Sequence, residues 1–138
     1  MMHIDTEKFQ LPDGTLPEWV LEFDRCAPWL EAALQYSGGT HTLDDVADGV
    51  ARGLFQLWPG KTSAVITEVI TYPRMRVLHY FLAGGKLPEL SKMRPDIEAW
   101  GKTVGCNRVT LSGRKGWLKS FLKDEGYCEK WSVMAKDL

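Results

Sequence analysis

The sequence predicts a single α/β (α+β) domain, with a mixed, mostly antiparallel sheet and helices on both faces. Three observations predict it. Two stretches rich in strand-forming residues, Ser63–Ile70 and Arg74–Ala83, are joined only by Thr71-Tyr72-Pro73, which reads as an antiparallel hairpin. Apolar residues recur at helical spacing before and after that hairpin. Helical stretches also intervene between later strands, which requires some mixing of strand direction. At 138 residues the chain is one domain's length and long enough to bury a core without staples.

Residues 1–16 are polar, with a Pro12-Asp13-Gly14 turn, and read as an N-terminal arm or loop packed on the body. From Pro17 to Tyr36, Trp19, Val20 and Phe23 form one helical group, and Trp29, Leu30, Ala33 and Leu34 a second. Pro28 suits the first turn of the second piece. Thr42 is an N-cap with Asp45 three positions on, a capping box ahead of Leu43, Val46, Ala47, Val50 and Leu54. Phe55–Trp58 alternates as a strand. After Gly84-Gly85, the residues Leu87, Leu90, Met93, Ile97, Trp100 and Val104 make one helical stripe, with a kink or break expected near Arg94 because of Pro95. Gly105 ends it. Asn107–Ser112 is a short strand, Gly113 opens a last helix, Gly126 fits the left-handed position past its end, and Tyr127–Lys136 alternates as a closing strand.

Composition excludes several classes. Seventeen Lys and Arg against eighteen Asp and Glu give a net charge of −1, so a phosphate-reading nucleic-acid domain is not expected. Cys26, Cys106 and Cys128 are scattered without a CxxC. They give neither a disulfide framework nor a zinc pattern and point to a reducing cytoplasm. Cys106 and Cys128 read as small buried hydrophobes. The three histidines are too few for a His-rich metal site. The first residues lack the apolar stretch of a secretory signal, and no run is long enough to span a bilayer. Trp100, Trp117 and Trp131 are simplest as core.

From Ser63 onward the order of hairpin, long helix, strand, shorter helix and a last strand after Gly126-Tyr127 resembles the acceptor half of the GCN5-related N-acetyltransferase (GNAT) fold. The wording of Leu57-Trp58-Pro59, Thr67-Glu68-Val69, Phe81-Leu82-Ala83-Gly84-Gly85, Ile97-Glu98-Ala99-Trp100, Gly105-Cys106 and Gly113-Arg114-Lys115-Gly116-Trp117 also resembles phage- and prophage-encoded proteins of that fold, over roughly residues 29–138. The resemblance implies an N-acyltransferase using acetyl-CoA or another acyl-CoA, in the host-cell cytoplasm or the virion. The backbone of Leu82, Ala83, Gly84 and Gly85 would then hold the acyl and pantetheine arm. Two departures stand out. The family's Arg/Gln-x-x-Gly-x-Gly/Ala loop reads here Ala83-Gly84-Gly85-Lys86-Leu87-Pro88-Glu89, and Leu122 occupies the place of the family's general-acid Tyr. They admit a second reading, a catalytically silent scaffold that binds a phage or host protein, since fold does not dictate activity.

Two candidate sites follow from the residues themselves. Glu68 is a carboxylate within a strand of Val, Ile and Thr. Pairing Ile66 opposite His79 sets Glu68 on the same sheet face, diagonal to the imidazole, where it would raise the histidine's pKa and serve proton transfer. The alternative is a Glu68 pointing to solvent on a half-exposed face. The second candidate is Gly113, Arg114 and Lys115, between a strand end and a helix start, which reads either as an anion or partner site or as a turn with solvated charges. Arg74, Arg76, Arg94, Lys86 and Lys92 read as a rim of solvated charge.

Overall fold

The computed structural model describes residues 2–112 and 121–138. Helix α1 (Glu18–Leu34) is one continuous helix and not two pieces. Val20, Phe23, Ala27 and Leu30 fall on one fully buried face, while Pro28 lies on the exposed side. Burial of that stripe holds the helix through a proline that removes only one backbone bond. The arm packs against it, with Ile4 buried and the Phe9 ring edge-on to Trp19 at 5.1 Å. Helix α2 (Leu43–Ala51) starts at the expected capping box. The Thr42 hydroxyl accepts from the Asp45 N–H, and the Asp45 carboxylate accepts from the Thr42 N–H.

Strands β1 (Phe55–Pro59), β2 (Ser63–Thr71), β3 (Arg76–Gly85) and β4 (Arg108–Leu111) form one sheet in that order. The first two pairings are antiparallel and the last is parallel, because helix α3 (Leu87–Thr103) carries the chain back between β3 and β4. Pro95 sits on the solvent side of α3 and does not break it. Gly105, at φ 89°, turns the chain out of α3. The hairpin register differs from the expected one, because the turn spans Tyr72–Met75 and β3 bulges at Phe81. Ile66 faces Leu82, and Glu68 faces His79 directly.

Helices α1 and α2 cover one face, where Ile66, Ala64 and Leu82 join Phe23 and Leu30. Helix α3 covers the other, where Val65 and Leu78 meet Leu90 and Ile97. Helices on both faces of a mixed, mostly antiparallel sheet are as the sequence predicts.

The closing strand is not formed. Tyr127–Lys136 has no ladder partner among the described residues, because alternation sets which side chains share a face but does not bring the segment onto a strand edge. Trp131 is accordingly 61% exposed and is not core, and Cys128 is exposed rather than buried. The last helix expected from Gly113 lies largely outside the described residues; Phe121–Glu125 is a short 3-10 turn, followed by Gly126 at φ 91°. Trp117 lies outside the described residues. No helix among the described residues is long and apolar enough to cross a membrane.

Candidate functional site

The sheet parts at one place. Strand β3 pairs with β4 only from Val77 to Tyr80, then runs on to Gly85, whereas β4 stops at Leu111. The edge of β3 from Phe81 onward therefore has no strand beside it on that side among the described residues. The bulge at Phe81, an extra residue with no partner on β2, sits where the parting begins. It places Phe81 and Leu82 both toward α1 and α2, and returns Ala83 to the α3 side.

The parting holds a cavity of about 60 Å³ lined by Val65, Tyr80, Ala83, Arg94, Leu111 and Leu122 among others. A water needs at least about 10–15 Å³ of such space, so the cavity has room for no more than a few waters. It is small because Leu122, buried on the 3-10 turn, packs into it.

Polar bonds hold this turn in place. One Glu98 carboxylate oxygen accepts from Tyr80 Oη at 3.1 Å, from Arg94 Nη1 at 3.1 Å and from Tyr127 Oη. Arg94 Nη2 reaches Glu125 at 3.2 Å, while its buried Nε has no partner among the described residues. Arg94 is thus tied and mostly buried, and is not part of a solvated rim. Burial, with Tyr127 and Glu98 as neighbours, raises the Tyr80 pKa, so the phenol keeps its proton.

On the opposite face, directly cross-strand Glu68 and His79 share a surface with Phe55. The loop between α1 and α2 adds His41, whose ring lies 4.8 Å from Phe81 and 5.9 Å from Phe55. Phe55 and Phe81 stack at 5.2 Å. Burial raises the Glu68 pKa, and His41 opposes that shift. The expected rise of the His79 pKa is reversed: burial lowers it. No hydrogen bond joins His79 to Glu68. Instead Nδ1 meets Thr110 Oγ1 of β4 at 2.8 Å, which fixes the ring and leaves Nε2 unengaged among the described residues. A neutral, oriented imidazole beside a half-buried carboxylate can accept a proton and then be stabilised as imidazolium.

The four residues expected to line the coenzyme arm fall at the parting, with differing roles. Ala83 lines the cavity, whereas the Leu82 side chain is buried on the other face. Gly84 lies against the Trp29 carbonyl, where a Cβ would collide with it. Gly85, at φ 109°, lies against Thr62 and Ser63. Beyond them the first turn of α3 presents Pro88 and Glu89. The Glu89 carboxylate accepts from the Ser63 hydroxyl and the Thr62 and Lys61 amides, which lower its pKa and keep it charged. Gly113, Arg114 and Lys115 lie outside the described residues. Sequence reasoning did not single out His41, Thr110 or the group around Glu98. Arg94 and Glu98, at i,i+4 on α3, were the legible part of that group.

No protein-family model matches the chain, and no curated protein sequence does. Solved structures do match. An acetyltransferase of Trypanosoma brucei aligns at 16% identity and a TM-score of 0.53, over 70% of this chain and 78% of that one. A point mutant of the Thermus thermophilus protein TTHA1254 aligns at 17% identity and a TM-score of 0.54, over 79% and 89%. At such identities the likeness is one of architecture: the chain has the α+β fold of these acetyltransferase-like structures, with its sheet parted between β3 and β4.

Proposed function

We propose that the chain is an acyl-CoA-dependent N-acyltransferase, of the kind encoded by phages and prophages. The observation that supports this best is the β3 edge at Phe81–Gly85, which has no strand beside it among the described residues and offers backbone groups to an amide-bearing arm. The backbone of Leu82, Ala83, Gly84 and Gly85 would hold that arm once Leu122 moves aside. The coenzyme supplies an acyl thioester. An acceptor amine enters beside Phe55 and Phe81, its nitrogen forms the new C–N bond as the C–S bond breaks, and its proton passes to His79 Nε2. Glu68 stabilises the resulting imidazolium, and Thr110 keeps the ring aligned. The sulfur can depart as a thiolate, since an ordinary thiol has a pKa of about 8.5. No phenol is then needed where Leu122 stands.

One observation favours the second reading, a silent scaffold that binds a phage or host protein. The first turn of α3, where an anionic pyrophosphate would lie, carries the charged Glu89 and lacks the Pro88 donor. Thermal melting with acetyl-CoA separates the two. Ligand at a hundred times its dissociation constant adds about 2.7 kcal/mol to stability, and Glu68→Gln is expected to keep that shift while losing turnover. No shift at millimolar coenzyme would leave the scaffold reading.

A further inference from the structure

We propose that the C-terminal segment Cys128–Lys136 pairs with the free edge of β4 in a second copy of the chain, giving a two-fold dimer by reciprocal strand exchange. Strand β4 has β3 on one side and nothing on the other among the described residues, so its outer backbone groups form an open edge. The same chain carries a segment of strand pattern with no edge. Trp131, Val133 and Ala135 alternate with Lys130, Ser132, Met134 and Lys136. Trp131, Val133 and Met134 are 61%, 84% and 94% exposed, large apolar surface left in water.

Between the two lies an open groove of about 1470 Å³, walled by Val109 and Leu111 on the sheet side and by Gly126, Trp131 and Val133 on the tail side. Small-molecule pockets run to about 1,000 Å³, so this groove suits a chain segment better. Outside the tail itself its rim carries both signs, Arg108 and Lys123 with Glu125. That argues against a nucleic-acid strand, which needs one sign, and suits a segment that itself carries Glu129 and Lys130.

Tyr127, bound to Glu98, anchors the base of the tail off the edge and holds the groove open. A two-fold axis pairs both tails with both edges at once, which is the self-complementary interface that closes at two copies. The proposal does not depend on the acyl-CoA reading.

Light scattering of the full chain at micromolar concentration is expected to give a dimer. Trp131→Lys with Val133→Lys is expected to give a monomer with an unchanged circular dichroism spectrum. A chain with Arg108→Cys mixed with one bearing Val133→Cys, both with Cys128→Ser, is expected to form a mixed adduct with a short bis-maleimide. A monomeric wild type would overturn the proposal, as would a dimer that survives the paired lysines or the absence of the mixed adduct.

Discussion

Glu68 and His79 are displaced from their ordinary pKa values in opposite directions, and each shift has a thermodynamic consequence. A carboxyl whose folded pKa is raised binds protons more tightly in the native state, so stability falls as pH rises above the ordinary glutamate value. Glu68→Gln removes that penalty. The variant is expected to melt with the wild type near pH 4 and above it at pH 7, and an unchanged difference between the two conditions would show that the carboxylate is not desolvated. His79, lowered by burial, acts the other way, losing stability as pH falls through the ordinary histidine value. For turnover, the imidazole must be neutral. The acid limb of kcat/KM is therefore expected below the usual histidine range, and His79→Ala is expected to lower kcat by about 10²–10⁴. A limb that stays put in that variant would assign the proton transfer elsewhere.

Elements place these residues, and their ends were the most readable part of the sequence. The Thr42 capping box was legible because two residue types at a fixed spacing suffice to define it. Thr42→Ala is expected to cost about 1 kcal/mol in denaturant unfolding. The shared face of Glu68 and His79 was legible too, since parity survives a shift by two residues, whereas their direct pairing is set by the four-residue turn Tyr72–Met75, and the partner of Ile66 by a bulge at Phe81 that no local pattern marks. The final strand was misread for a related reason. Alternation at Tyr127–Lys136 reports which side chains share a face, but a strand also needs a neighbouring edge, and that is set by the path of the whole chain. The glycines were recognised without their purpose. Gly84 reads as backbone for the acyl and pantetheine arm, yet its missing side chain is what lets β3 approach the Trp29 carbonyl of α1. Gly84→Ala is expected to destabilise by about 1–3 kcal/mol through overpacking against backbone. A neutral result in chemical denaturation would mean that α1 yields easily.

Across the whole molecule, coenzyme binding and the packing of the last described turn compete for one space. The cavity at the parting of β3 and β4 is small, about 60 Å³, with Leu122 packed into it, and that turn is tethered from outside by Tyr127 on Glu98 and by Glu125 on Arg94. If an arm lies along Phe81–Gly85, the turn must first release, and the apparent dissociation constant exceeds the intrinsic one by the inverse of the released fraction. Two variants separate this coupling from simple enlargement of the hole. Leu122→Ala enlarges the cavity and weakens the turn, whereas Tyr127→Phe removes a hydrogen bond to a charged group at the rim and leaves the cavity as it is. Both are expected to lower the melting temperature and tighten acetyl-CoA binding measured by calorimetry, with each 1.4 kcal/mol of lost tethering worth about tenfold. Tighter binding in Leu122→Ala alone would mean that volume limits entry and the tether is passive. Unchanged binding in both would place any coenzyme away from the parting altogether, and with it the role of the free β3 edge.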